Sequence, residues 1–418
     1  MKNRKFLLIS ILVCASLFAF ASQTRKVLII GWDGVRSDAL QQANTPNLDA
    51  LIAEGLFTYD AWHLGITVSG PSWSTIMTGV WWNKHGVFSN AYTGSNYNDY
   101  PYFPTRAKEL RPNLKCVQVT EWAPMSDNVY NDGWDLKLKT PDGDGAATEA
   151  VAVQQLQDPD LDALFVYFDA VDLAGHSSGF DPNNPSYMQA IENNDFHTGN
   201  IITALKNRPT YNDENWLVLL ITDHGGRGTG HGGISYEERH IWWVASGNAV
   251  QHGQIYADDP GTYNLLGTGI FNASGVDTAL LNLSPVQADI AVTALHHLIF
   301  DTGQNPENIG PWGFDGKSWL NTFIDSTTGT NKVFDASENI KLYPNPTTGI
   351  VTVWFENSDS QPVEVRLFDI AGRVVKVVTE QQTSNKINID LSEQPVGQYI
   401  AQITIGKQTL TRKIELRR

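Results

Sequence analysis

Between residues 25 and 325, short and wholly apolar runs alternate with stretches of helical periodicity, and this alternation restricts the fold more than any other feature. Residues 27–30, Val-Leu-Ile-Ile, have no polar face, so they read as a strand covered on both sides. Residues 163–168, 217–222 and 241–245 read the same way. Helical patterns lie between them. Thr45 and Pro46 suit the N-cap and first position of a helix that carries Leu48, Leu51 and Ile52 and stops at Gly55. Residues 186–207 make a longer helix with Met188, Ile191, Ile201, Ile202 and Leu205 among its apolar positions, and Ser284-Pro285 opens another through Ile299. Strands separated by helices predict an α/β domain, a mostly parallel sheet flanked by helices. Its ligands are expected beyond the carboxyl ends of the strands.

The texture changes after this domain, which is expected to span residues 22–325. Residues 326–339 are rich in Ser, Thr, Gly and Asn and read as a linker. From residue 340 to 418, alternating runs at 351–355, 363–368, 374–378, 386–389, 399–403 and 410–414 are separated by turn residues, which predicts a small all-β sandwich. At the other end, Lys2, Arg4 and Lys5 precede an apolar run that closes on Ala19-Phe20-Ala21, the pattern of a secretory signal peptide over residues 1–21. No later segment is long and apolar enough to be a transmembrane span. Removing that peptide leaves Cys116 as the one cysteine, so an exported chain must be held by its core or by metals. With 29 basic against 45 acidic residues the formal net charge is −16, the wrong sign for a partner such as polymeric nucleic acid. Small anionic substrates stay open, because a bound cation reverses the field locally.

Acidic and histidine clusters follow the expected strands. Asp33 comes after the first, Asp172 and His176 after the second, and Asp223-His224 after the third, with His231 a short loop later. Carboxylate and imidazole together suit zinc or a similar divalent ion. Each Asp alone reads equally well as a helix cap. Gathered at one sheet edge, however, like carboxylates repel unless cations join them. Residues 67–79 read as a loop entering a helix with Pro71 in its first turn, which sets Ser69 beside free backbone N–H groups, a natural place for phosphate. A serine hydroxyl is a poor nucleophile until a base or metal activates it, and Ser69 also suits an N-cap. Trp73, Trp81 and Trp82 suit either a stacked nucleobase or core packing. His63, His197, His240, His296 and His297 show no metal-like spacing, while Arg227 and Lys84 are candidate phosphate contacts.

Taken in order, Asp33-Gly34-x-Arg36-x-Asp38, Thr45-Pro46-Asn47-Leu48, Ser69-Gly70-Pro71-Ser72 running to Thr78-Gly79, His85-Gly86, Asp172-x-x-Gly175-His176, Asp223-His224-Gly225 and His231 resemble the alkaline phosphatase superfamily. The branch they look most like is type I phosphodiesterase/nucleotide pyrophosphatase. The resemblance runs from about residue 26 to 320. It implies two divalent metal ions, zinc first: one held by Asp172, His176 and His231, the other by Asp33, Asp223, His224 and the catalytic nucleophile Ser69. It further implies hydrolysis of a small phosphate ester, either a diester or a nucleotide pyrophosphate, through a covalent phospho-serine. Gly70, Ser72 and Arg227 are its substrate-binding candidates, and His85 and Asp195 fall at positions read as structural. The family often has Thr as nucleophile followed by Phe-Pro-Asn, so Ser72 here stands where an Asn would meet a phosphate oxygen. Residues 69–72 also partly fit the Cys/Ser-x-Pro-Ser-Arg of sulfatases, with Trp73 in place of the Arg. Phosphomonoesterase, sulfatase or phosphonate hydrolase, and a surface binding protein on an inactive enzyme fold, are the alternatives.

The tail has its own likeness. Leu342-Tyr343-Pro344-Asn345-Pro346-Thr347-Thr348-Gly349, then Phe368-Asp369-Ile370-Ala371-Gly372-Arg373 and Gly397-Gln398-Tyr399 resemble the C-terminal (Por) sorting domain of the type IX secretion system found in Bacteroidota. This implies the secretion machinery as a partner through residues 340–418 and a secreted or cell-surface location.

Overall fold

The computed structural model describes residues 23–263, 275–320 and 340–417, without residue 346 and the short segments 356–361, 370–372, 382–385 and 406–407. The expected signal peptide and linker lie outside the described residues. The chain divides into two compact units, Met1–Ile324 and Asp325–Arg418.

The first unit is built on one eight-stranded sheet. Its strands are β1 (Thr24–Trp32), β2 (Gly55–Trp62), β3 (Lys115–Thr120), β4 (Leu136–Lys139), β5 (Leu161–Phe168), β6 (Glu214–Ile221), β7 (His240–Ser246) and β8 (Gly253–Gln254), in the order β4-β3-β5-β1-β6-β7-β2-β8. From β4 to β6 all neighbours are parallel, and β7 runs antiparallel to both β6 and β2. The central β1 shows why such a sheet needs helices on both faces. Val27 and Ile29 enter one apolar core, whereas Leu28, Ile30 and Trp32 enter the other. Each side chain taken fully out of water contributes roughly 1.5–3 kcal/mol.

Three differences from the sequence reading have causes visible in the pairing of the backbone. The helix Pro46–Ala53 ends before Gly55, which instead starts β2. That strand carries a register irregularity between Thr58 and Ala61, so it shows no clean alternation. The last long helix begins at Asp289 and not at Pro285, because Pro285 O accepts a hydrogen bond from Trp62 N at 3.0 Å and Val286 bridges to Trp62. The backbone there is already committed to the sheet edge.

The second unit is a small all-β module. Strands β9 (Ile340–Tyr343), β10 (Ile350–Phe355) and β13 (Lys386–Asp390) form one antiparallel sheet, while β11 (Pro362–Asp369), β12 (Val374–Gln381), β14 (Gly397–Ile405) and β15 (Gln408–Leu416) form another. Period-two side chains meet in one core: Val351 and Val353, Val365 and Leu367, Ile387 and Ile389, Ala401 and Ile403. Asn345 pins the first turn to β15, accepting from Glu415 N at 2.8 Å and donating to Lys413 O at 2.7 Å. No helix among the described residues is long and apolar enough to cross a membrane.

Candidate active site

Because β5, β1 and β6 are neighbours, the segments leaving their carboxyl ends converge. Asp33 follows β1, Asp172 lies in the helix Ala170–Ser178 after β5, and Asp223 and His224 follow β6. Gly34, at φ 72°, makes the approach possible: a Cβ there would lie 2.7 Å from Asp172 Oδ1 and 2.9 Å from its Cα. His231 arrives from the tight turn bridged between Arg227 and Gly230. Ligand atoms of Asp33, Asp223 and His224 lie within 4.8 Å of one another, as do those of Asp172, His224 and His231. His224 Nε2 is 3.2 Å from Asp223 Oδ2 and 3.6 Å from Asp33 Oδ1. His176 Nε2 sits 3.3 Å from Asp172 Oδ2 and 3.0 Å from His231 Nε2. All six residues therefore share one cluster, in which His224 borders both groups and His176 occupies the exposed rim.

The orientation of each donor is set by its other atoms. Asp33 Oδ2 accepts from Trp73 Nε1 at 2.9 Å and Tyr167 OH at 2.6 Å, whereas Oδ1 accepts nothing. Asp223 Oδ1 accepts from Gly34 N and His224 N, whereas the buried Oδ2 has no hydrogen-bond partner. Asp172 Oδ1 is buried and unpartnered as well. The imidazoles follow one rule. Nδ1 of His176, His224 and His231 faces the carbonyls of Thr229, Gly225 and Thr67 at 2.9, 2.8 and 2.7 Å. A carbonyl can only accept, so each Nδ1 carries the hydrogen and each Nε2 presents a lone pair to the cluster. His63 and His85 show the opposite arrangement. Their Nδ1 atoms accept from Gly65 N and Val87 N, so Nε2 is protonated and donates to Ser72 and Thr75.

Bare carboxylate oxygens opposite bare imidazole nitrogens form a set that divalent cations complete. The electrostatics agree. Burial, then Asp172, pushes Asp33 up to about 8. Burial followed by Asp33 and Asp172 raises Asp223 well above the usual carboxylate range. His224 is held well below the ordinary imidazole value by burial and then by His231. With no cation between them, the Asp172 carboxylate draws a proton onto His176 Nε2 and raises it to about 9, so a proton and a cation compete for that lone pair.

Ser69 is the first residue of the helix Ser69–Thr78, with Val68 at the N-cap, so its hydroxyl does not cap the helix. Its Oγ lies 3.4 Å from His224 Nε2. Gly70 N donates to Asn90 Oδ1 at 2.8 Å, and a Cβ on Gly70 would fall 2.9 Å from Ser89 O. Asn90 escaped the sequence reading, since a lone Asn after His85-Gly86 has no periodic or motif signal. Ser72 is fully buried: it donates to Val68 O at 2.8 Å and takes a hydrogen bond from His63, which leaves it no hydrogen for a substrate. Arg227 is exposed in its turn, and no hydrogen bond among the described residues ties its guanidinium to the cluster. Lys84 is committed to Gly313 O and Asp315. Trp73, Trp81 and Trp82 are buried, so none offers a face to a base; Phe88, two residues before Asn90 in the chain, is exposed. Asp195 accepts from Asn47 N and Leu48 N at the start of the helix Pro46–Ala53, while His197 pairs with Glu149 and His240 with Asp60. His296 bonds Ser318 and His297 bonds Asn215 O, away from the cluster.

Known proteins match both units. The family model for type I phosphodiesterase/nucleotide pyrophosphatase matches residues 27–238, and that for the secretion system C-terminal sorting domain matches residues 341–417. A pyrophosphatase/phosphodiesterase of Schizosaccharomyces pombe, itself uncharacterized, is 24% identical over 220 residues, covering 48% of this chain and 44% of that one. The bis(5'-adenosyl)-triphosphatase ENPP4 of Bos taurus is 23% identical over 221 residues, 48% and 47% of the two chains. The chain thus spans about half the length of the curated relatives it matches. Among solved structures, a sulfatase from a glycosaminoglycan-metabolism locus of Bacteroides thetaiotaomicron shares the fold, with TM-score 0.51, 13% identity and coverage of 89% of this chain and 93% of that one. The chain belongs to the type I phosphodiesterase/nucleotide pyrophosphatase family and carries a secretion-system sorting domain.

Proposed function

We propose that this protein is an exported metallo-hydrolase that cleaves phosphate diesters or nucleotide pyrophosphate bonds, with Ser69 as the nucleophile. One observation carries the reading: unpartnered oxygens of Asp33, Asp172 and Asp223 and bare Nε2 atoms of three histidines converge beside Ser69 Oγ. Asp33, Asp223 and His224 would hold one divalent cation with Ser69, and Asp172, His176 and His231 the other. Two such ions, zinc by this nitrogen and oxygen donor set, neutralise phosphate charge and lower the serine pKa when bound. Ser69 Oγ, giving up its proton to solvent, attacks phosphorus in line, and the bond to the leaving oxygen breaks with its electron pair on that oxygen, which takes a proton from solvent. Water attacks the phospho-serine in a second displacement and returns the proton to Ser69. Asn90, whose Oδ1 is engaged by Gly70 N, offers its Nδ2 to a phosphoryl oxygen. The nucleotide reading draws support from the name of the bovine relative and from the exposed Phe88, two residues before Asn90 in the chain. Residues 326–339 would link the hydrolase to residues 340–418, which deliver it to the secretion machinery and hence to the surface or the medium.

The test compares turnover of an aryl phosphate diester, the matching monoester, an aryl sulfate and a dinucleotide by zinc-loaded protein. Fastest turnover of the diester or dinucleotide supports the reading. Fastest turnover of the sulfate or monoester overturns the substrate class, and failure to bind zinc overturns the mechanism.

A further inference from the structure

Thr67 lies two residues before the proposed nucleophile and is fully buried, yet the proposed chemistry gives it no part. Three of its hydrogen bonds reach consecutive residues of one loop that is distant in the chain. Thr67 O accepts from His231 Nδ1 at 2.7 Å, while Thr67 Oγ1 accepts from Gly232 N at 3.0 Å and donates to Gly233 O at 2.8 Å. A hydroxyl has one hydrogen and spare lone pairs, so this single group satisfies an amide N–H and a carbonyl at once. Among the described residues, the backbone of residues 231–233 makes one further hydrogen bond, from Gly233 N to Glu238 Oε1 at 2.7 Å. Glu238 thus fixes the far end of the segment, and Thr67 fixes the end that bears His231.

This clasp closes a ring of contacts around Ser69. The two-residue step from Thr67 to Ser69 spans no more than about 7 Å. Ser69 Oγ lies 3.4 Å from His224 Nε2, the His224 ring stacks on that of His231 at 3.8 Å between centroids, and His231 returns to Thr67. We infer that Thr67 is a positioning residue: it holds His231 in register with Ser69, and so sets where the cation of Asp172, His176 and His231 sits relative to the attacking oxygen. The inference rests on the reading of two cations beside Ser69. A group that orients a metal-binding imidazole acts on affinity through that ligand. Gly232 and Gly233 are exposed, so without the Thr67 hydroxyl their backbone groups turn to water and the fold loses little. What is lost is the direction of the His231 ring.

The test sets Thr67→Val, which keeps the shape and the carbonyl but removes the hydroxyl, beside Thr67→Ser, which keeps it. The readouts are zinc titration of the metal-free full chain, its Tm without metal, and kcat on a diester at limiting and at excess zinc. In Thr67→Val one zinc should bind about 10–100-fold more weakly while the other holds, and excess zinc should restore most of kcat. Thr67→Ser should return that affinity to the wild-type value. Combined with His231→Ala, Thr67→Val should add no further loss, since it acts through that imidazole. Two wild-type zinc affinities in Thr67→Val overturn the inference. So do equal weakening of both sites, a fall in metal-free Tm, no recovery in Thr67→Ser, or a further loss on top of His231→Ala. Wild-type protein that takes up fewer than two zinc ions overturns the underlying reading and this inference with it. Wild-type protein that holds two, beside an unchanged Thr67→Val, overturns the Thr67 assignment alone.

Discussion

The two units build their cores by different rules. In the sorting unit, the buried side chains among the described residues are aliphatic, apart from Tyr399 and Thr347. In the hydrolase unit, Asp33, Asp223 and His224 are buried to 1% exposure or less. Asp33 Oδ1 and Asp223 Oδ2 have no hydrogen bond, and burial raises both carboxyls, with Asp172 adding to Asp33 and Asp33 adding to Asp223. An all-aliphatic core maximises burial and needs no partner groups. A core containing unpartnered carboxyls and imidazoles sacrifices stability, and it survives because the flanking sheet over-determines the positions of those groups. The contrast is one of packing: the first unit keeps carboxylate oxygens without partners at the ends of its strands, while the second is packed simply to hold its shape.

The comparison is tested hardest at Ser69. Ser69→Ala should lower turnover by about 10³-fold or more while zinc content holds, because the Asp and His donors remain. Ser69→Thr, which keeps the hydroxyl, should retain a substantial part of the rate. Acid quenching during turnover should trap phosphate on the wild-type serine. A next probe is Leu367→Ala in the sorting unit. Loss of a fully packed leucine should reduce that unit's stability by about 2–5 kcal/mol, seen by calorimetry, with kcat unchanged. A changed kcat would mean the units are coupled.

The pH response sharpens the contrast further. A folded carboxyl raised to about 8 binds a proton that the unfolded chain has released, so its stabilising contribution is lost as pH rises through that value. Metal-free hydrolase unit should therefore lose about 1 kcal/mol between pH 7 and pH 9 from Asp33 alone. Asp223 and His176 act in the same direction. His224, held low by burial, acts the opposite way on the acid side. Saturating zinc should flatten the fall, and the sorting unit, with no buried carboxylate or imidazole among its described residues, should show none. The smallest expected effect is zero: deleting residues 340–418 should leave kcat intact while surface delivery stops. A folded but inactive truncation would erase the division between the units.

Much of the hydrolase frame was legible because its signals are local. The run 27–30 is apolar on both faces, and Asp33 follows three residues on, so both the strand and the acid at its end could be read from nearby residues. Strand β2 was not legible, because its irregular pairing with β7 spoils the alternation. Nor was the start of the helix at Asp289, since Trp62 claims the carbonyl of Pro285 from far away in sequence. Ser72 matched a motif position yet is turned into the protein by His63.

By itself, the sequence determined two fold classes, the order of the motifs and the identity of the acidic and histidine residues at the strand ends, since periodicity and residue type travel with the chain. The tertiary structure alone decided that His224 borders both ligand groups, that Asn90 reaches Gly70, and that Thr67 clasps the loop of His231. Those outcomes depend on which loops meet over the ends of β5, β1 and β6. Contact between residues distant in the chain is set by packing, and packing leaves no local pattern to read.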